Sequence, residues 1–514
     1  MSRIAVVLCV ALLSIPLAPD ASQSTLTPEQ RTARELDAIR AQPPRLLAFL
    51  QQMPKGGDLH NHLGGAVYAE SLIGFAAANG QCVDRGSQQV LAAPCDPCDA
   101  ASRKPAASCA FQDQALYNSL IDAWSMRNWR PEKSSGHDHF FATFDKFIPA
   151  AEGHTGEMLA EVAARSAADR LQYLELMHTA DGNQAAVLGA TGGPWSGDFA
   201  AMRNRLLSGI KAAVATTRKQ ADDNEAKMRA VLKCGTPQAD PGCAVTVRYL
   251  YQVLRGLPRE IVFAQILFGY ELASTDPRFV GVNLVMPEDW VVPMRDFRLH
   301  MQILEFMHGI YPPVHLTLHA GELAMGLVPP EGLRFHIRES IEKAHAERIG
   351  HGVSVMSETD PAGLLRKMAE QRVLVEINLT SNDVILGVTG RDHPLPTYLR
   401  AGVPVALSTD DAGVSRSDMT HEYLRAVLTY GLSYAELKRM ARNSLEYSFL
   451  PGESLWNRTA TPFTAMRICA GDRQEAPRPS AACAQALDAS EKARAQWQLE
   501  LAFVAFENGI VRPR

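Results

Sequence analysis

A chain of 514 residues, 46% hydrophobic and 21% charged, has the apolar content of a soluble globular protein with one large domain or two ordinary ones. Its net charge of -5, with no lysine- or arginine-rich run, excludes nucleic acid as an expected partner and favours a small molecule.

The chain opens with Arg3 and an apolar run from Ile4 to Leu17, too short for a comfortable membrane span and of the form of an export signal. We assign residues 1–22 to it, with removal between Ala18 and Ser24 and no stable membrane association afterwards. The expected location is periplasmic or secreted. Of the nine cysteines only Cys9 lies in the signal. The rest are grouped locally, which predicts Cys234 with Cys243, Cys469 with Cys483, and two bridges of open pairing among Cys82, Cys95, Cys98 and Cys109.

Residues 25–53 predict a short helical segment. Thr27 is its cap, Pro28 its first residue and Gln30 the capping-box partner, and Pro43 and Pro44 break it before a second piece over Leu46 to Gln52. From 54 to 514 strand and helix patterns alternate. Strands are expected at Asp58 to Leu63, Gln172 to Met177, Ile261 to Phe268, Val280 to Val285, Val314 to Leu318, Arg348 to Gly350, Leu374 to Asn378 and Pro404 to Leu407. In the second half the strand ends His319, His351, Thr380 and Asp410 recur about every 30 residues, one βα unit each. This predicts a (β/α)8 TIM barrel, with chemistry at the carboxyl ends of its strands. Insertions at about 82–137, 234–243 and 460–483, pinned by disulfides, interrupt the repeat. A last amphipathic helix runs from about Ser490 to Phe506.

The strand ends carry a constellation. His60 and His62, two apart on a strand, project to one face and can reach one ion. With His319 and Asp410 they make three nitrogens and one oxygen, the donor set of a catalytic zinc that keeps a place for water. Glu322 can shuttle the proton of that water and His351 can orient it. Adjacent Asp410 and Asp411 cannot both face a metal from an extended backbone, which leaves Asp411 for the substrate.

These strings, MPKGGDLHNHL from Met53 to Leu63, HAGE from His319, RIGHG from Arg348, LTSN from Leu379 and STDD from Ser408, closely resemble the adenosine deaminase family. The export signal is similar to that of its secreted, growth-factor-related branch. The resemblance implies one Zn2+ per chain on His60, His62, His319 and Asp410, with Glu322 protonating purine N1, His351 steering the attacking oxygen and Asp411 contacting N7. It implies hydrolytic deamination of adenosine, or a related adenine nucleoside, to the hypoxanthine nucleoside and ammonia; a homodimer is left open, since the oligomeric state is not readable from the residues. From the residues alone the reading stops at metal-assisted hydrolysis.

Two departures bear on the substrate. Gly64 stands where many relatives place an aspartate that grips the ribose 5′-hydroxyl, and Met286 where a glycine usually offers its N–H to purine N3. Free adenine, a 5′-modified adenosine or another aminopurine is therefore an alternative substrate. A secreted non-catalytic binding or signalling protein on the same barrel is the alternative of another class. Phe140, Phe141, Phe144 and Phe147 are spaced either as a lid over the purine or as a core face. The Pro94 to Cys98 string, PCDPC, matches half of another deaminase zinc signature but lacks its HxE and reads as disulfide cysteines. His137-Asp138-His139 reads as a helix start and His393, before Pro394, as a turn residue.

Overall fold

The computed structural model describes residues 26–457, 463–466, 468–472 and 479–510. The expected signal lies outside these residues, as does part of the third insertion. The strands are β1 (Gly56–His62), β2 (Cys82–Val83), β3 (Val90–Leu91), β4 (Leu171–His178), β5 (Thr246–Leu254), β6 (Phe279–Val285), β7 (His315–Ala320), β8 (Arg348–His351), β9 (Leu374–Ile377) and β10 (Val405–Leu407). β2 and β3 form a small antiparallel hairpin inside the first insertion. The other eight are parallel in the order β1-β4-β5-β6-β7-β8-β9-β10, with helices between them: an α/β TIM barrel.

The barrel closes only at its carboxyl end. Asn61 and Asp410 form an isolated parallel bridge in which Asp410 N donates to His60 O at 2.8 Å and His62 N donates to Asp410 O at 3.2 Å. Asp58, buried beneath, accepts from Thr409 Oγ1 at 2.5 Å and from Asn61 Nδ2 at 3.1 Å, fixing the seam. First and last barrel strands thus meet where the polar motifs begin.

One expected strand is corrected. Ile261–Phe268 lies in the helix Arg259–Thr275, and the third barrel strand is β5. Every residue of that helix from Val262 to Leu272 is buried, so its sequence lacks the polar stripe that marks a surface helix and imitates a buried strand. β5 reads TVRYLYQVL, and Arg248 and Gln252 interrupt its aromatic and branched residues.

The amino-terminal helices are as expected. Thr27 and Gln30 close a capping box on Pro28–Ile39 with bonds of 3.0 and 3.2 Å. Pro43 and Pro44 also start the next helix, Pro43–Gln52, sitting in its first turn where no N–H is needed. Phe49 of that helix meets Phe506 of the helix Glu491–Ile510 edge-on at 5.1 Å, so the first and last described parts of the chain pack together.

Four local disulfides pin the insertions: Cys82–Cys95, Cys98–Cys109, Cys234–Cys243 and Cys469–Cys483. The last two are the expected pairs, and the first two supply the pairing that spacing left open. The first insertion is tied to the barrel by Met126 N donating to Val414 O at 2.8 Å. It then delivers the helix Gly136–Phe147, capped by Ser135, over the barrel mouth. No helix among the described residues is long and apolar enough to cross a membrane.

Candidate metal and catalytic site

The polar strand ends meet at the mouth of the barrel. His319 Nε2 lies 3.0 Å from His60 Nε2 and 3.1 Å from His62 Nε2. Asp410 Oδ1 lies 3.4 and 3.3 Å from the same His60 and His62 nitrogens. A tetrahedron with bonds of about 2.0–2.1 Å has edges of about 3.3 Å, so the separations suit one small cation.

Orientation is the stronger observation. His60 Nδ1 faces Glu376 Oε2 at 2.7 Å, His62 Nδ1 faces Gln252 Oε1 at 2.9 Å and His319 Nδ1 faces Asn283 Oδ1 at 2.9 Å. Each oxygen accepts the ring proton at Nδ1 and so turns a lone pair at Nε2 inward. The Nε2 atoms of three rings and a carboxylate oxygen aimed at one point need a cation between them, a proton or a metal ion, to hold them together. Burial opposes charge on His60, but Asp410 and Glu376 together raise its pKa to about 10. A metal bound at this point must therefore displace a proton.

Glu322 and His351 flank the cluster. Burial first, and Asp410 second, push the Glu322 carboxyl well above its usual range, which favours its protonated form. Burial holds His351 near 3, and thus neutral. Its Nδ1 is 3.7 Å from Glu322 Oε1 and its Nε2 is 3.8 Å from Asp410 Oδ2. Asp411, with burial raising it to about 7, has an Oδ1 without a hydrogen-bond partner among the described residues. The space for that carboxylate depends on Gly65, since a Cβ there would come within 1.7 Å of Asp411 Oδ1.

A cavity of about 570 Å3 opens over these groups, a size that accepts a small ligand. Its walls are largely apolar, from Phe140, Phe141, Phe144, Leu254, Val285 and Trp290. Phe147 is buried in the core, so the phenylalanine helix serves as both lid and core face. Among the described residues no lysine or arginine lines the cavity. Gly64 and Met286 both line it, and nothing described lies within 4 Å of where a Gly64 Cβ would stand. Met286 has φ +81°, a glycine-like conformation kept under a side chain. His137 does start a helix, but it also lines the cavity and holds Asp289 Oδ1 at 2.9 Å across the mouth.

Several groups have little or no signal in the sequence. Gln252 is hidden with β5, while Asn283 and Glu376 sit inside buried strands whose only mark is a polar residue among apolar ones. Arg255, buried just past β5, donates to the carbonyls of Met286 and His319 at 3.0 Å each. Glu288 accepts from Gly321 N at 3.1 Å and Glu322 N at 2.8 Å, and its other partner is His336. It thereby sets the turn that carries Glu322. His393 is not a plain turn residue: it is 2% exposed and bonded to Asn382.

Residues 212–456 match the adenosine deaminase family model, a stretch that holds His319, Glu322, His351, Asp410 and Asp411 but not His60 or His62. An adenosine deaminase of Escherichia coli (strain SE11) is 39% identical over 140 residues, 27% of this chain and 39% of that protein. One from Salmonella heidelberg (strain SL476) is 40% identical over 137 residues, 26% of this chain and 38% of that protein. The chain thus spans about two fifths of the length of these curated relatives. Among solved structures, the apo N6-methyl-AMP deaminase of Arabidopsis thaliana superposes with a TM-score of 0.50 at 20% identity, over 79% of this chain and 94% of that one. An amidohydrolase from Burkhoderia ambifaria with bound zinc gives 0.50 at 17% identity, over 79% and 88%. At such identities these two show the barrel fold.

Proposed function

We propose, from the match of residues 212–456 to the adenosine deaminase family model, that the protein is a zinc-dependent aminohydrolase that converts an uncharged adenine nucleoside to its hypoxanthine counterpart and ammonia. The observation that carries this reading is the inward turn of three imidazole lone pairs onto Asp410, beside an acid at Glu322, under an apolar cavity. His60, His62, His319 and Asp410 would hold the zinc, which when bound lowers the pKa of a water toward neutrality.

The chain's own groups supply the rest. Glu322 protonates N1 of the purine, so that C6 can accept the oxygen nucleophile without charge building on the ring. His351 fixes the direction of that nucleophile, and the raised Asp411 carboxyl hydrogen-bonds N7 through its unpartnered Oδ1. Phe140, Phe141 and Phe144 cover the ring and keep bulk water out. One proton of the water restores the Glu322 acid, and the other passes from the oxygen on C6 to the amino group, so that the C6 carbonyl forms as the C6–N bond breaks and ammonia leaves.

The cavity also speaks to substrate class. A nucleotide phosphate brings about two negative charges, and among the described residues the lining includes Asp138, Asp145 and Asp411 without one lysine or arginine, its mouth histidine His137 being already paired with Asp138 and Asp289. The free space at Gly64 favours tolerance of 5′-modified adenosines. Four disulfides support export to an oxidising compartment.

The test is ammonia release by the purified mature protein from adenosine, 5′-deoxyadenosine, adenine and AMP, with metal content measured alongside. Turnover of nucleosides, with AMP inert and about one zinc per chain, is the expected result. Full activity in metal-free protein, or turnover of none of the four, would overturn the reading; the latter would favour a binding protein.

A further inference from the structure

Behind His351 the bonds through Asn382 and His393 run in one direction, while Asn378 Nδ2, 3.4 Å from both ring nitrogens of His351, does not choose between them. Leu395 N donates to His393 Nδ1 at 3.1 Å. A backbone N–H cannot accept, so the neutral ring of His393 carries its proton on Nε2. That proton goes to Asn382 Oδ1 at 3.0 Å. With its oxygen so engaged, the Asn382 amide can offer only N–H to His351, and its Nδ2 lies 2.9 Å from His351 Nδ1. His351 Nδ1 must then accept. The remaining proton of the neutral ring sits on Nε2, the nitrogen that faces Asp410 Oδ2 at 3.8 Å.

The opposite arrangement is blocked at its far end. Turning the Asn382 amide over would set its N–H2 against the N–H of His393, two donors with no acceptor between them, in a place where His351, Asn382 and His393 are all 2% exposed or less. An unmade bond of this kind costs about 1–3 kcal/mol.

From this chain of bonds we infer that His393 is a positioning residue for the proposed deamination, which sets the tautomer of His351 through Asn382 so that His351 presents an N–H, and not a lone pair, to the reacting centre. His351 in that form donates a hydrogen bond to the attacking oxygen and cannot take a proton from it. Proton transfer then falls to Glu322. The inference rests on the function proposed above for its consequence, but the tautomer itself can be read without substrate.

Two readouts test it on the full-length, metal-loaded protein. The first is a two-bond nitrogen–proton correlation spectrum of protein labelled with 15N-histidine, the His351 signals being those lost in His351→Asn. Wild type is expected to show His351 protonated at Nε2, and His393→Leu to show both tautomers. The second is kinetic. His393→Leu is expected to lower kcat by about tenfold or more, with KM within about twofold and metal content unchanged. His393→Gln, whose amide N–H reaches the place of Nε2, is expected to restore both the single tautomer and kcat.

If His393→Leu does not fold with metal bound, His393→Asn withdraws the same donor from a smaller, polar side chain and is read in its place. Wild-type His351 protonated at Nδ1, or an unchanged tautomer in the variant that lacks the donor, would overturn the inference even in an active enzyme. So would a loss of kcat in His393→Leu that His393→Gln fails to restore. Absence of deamination in wild type would sink the proposed function and leave the spectrum to decide the tautomer by itself.

Discussion

The two sides of the barrel divide the work between donors and their supports. β7, β8 and β10 are short, 6, 4 and 3 residues, and each delivers a reactive side chain at or just past its end: His319, His351, Asp410. β4, β5 and β6 are 8, 9 and 7 residues long and deliver none. What β5 and β6 contribute is Gln252 and Asn283, placed within the strand, with Arg255 just beyond. A short strand releases the backbone early, so its motif forms a loop at the mouth. β5 and β6 keep their polar groups in register, where they aim a neighbour's ring; β1, as long as β6, instead places the donors His60 and His62, and short β9 carries the supporting Glu376, so strand length alone does not decide the task. Placing a nitrogen and pointing it are therefore separate tasks, and different elements of the barrel carry them.

Variants on the two sides should fail differently. The largest effect is expected from His319→Ala, which removes a donor: metal and activity should be lost together, as metal analysis after dialysis would show. Glu322→Gln should keep the metal and lose at least ~10^2-fold in kcat, the scale of an acid–base group. Near-normal turnover in that variant would mean that another group moves the proton. On the supporting side, Gln252→Ala and Asn283→Ala should each weaken metal affinity by about 10–100-fold. Activity of both should return when measured at saturating metal; if it does not, the division between donors and supports is wrong. The smallest effect concerns the sugar. With free space at Gly64, adenosine and 5′-deoxyadenosine should differ in kcat/KM by no more than about tenfold, on the order of 1.4 kcal/mol. A preference of several hundredfold for adenosine would place the missing clamp elsewhere, with His137 and Asp138 at the mouth as the side chains to exchange next.

The same division governs what can be read from the sequence. His60, His62, His319, Glu322, His351, Asp410 and Asp411 stand in short polar strings after apolar runs, and the structure brings all of them to one mouth. Asn283 and Glu376 do not stand out, because one polar residue inside a buried strand has no spacing to announce it. Gln252 is hidden for another reason: the apolar segment Ile261–Phe268 competes with β5 for the third strand, and periodicity cannot separate a helix buried on all sides from a strand buried on both. Cys234 with Cys243 and Cys469 with Cys483 are legible because nearness leaves one local choice, whereas four cysteines within one insertion leave three. For His393 the sequence offers only its neighbour Pro394 as context, and its role depends on Asn382 and His351, which only the fold brings beside it.

The seam at Asp58, Asn61, Thr409 and Asp410 bears on how the protein comes to exist. Asp58 and Thr409 are 351 residues apart along the chain and in contact in the fold. His60 and His62 leave the ribosome early, but their carboxylate partner emerges only when most of the chain has been made. During that interval the two imidazoles are half of the donor set, without the third nitrogen and the carboxylate that complete four-coordinate binding. A nascent or prematurely ended chain that stops before β10 can fold helices and strands but cannot assemble the cluster. If the proposed function holds, activity requires that translation has passed Asp410 and that the last barrel strand has found the first.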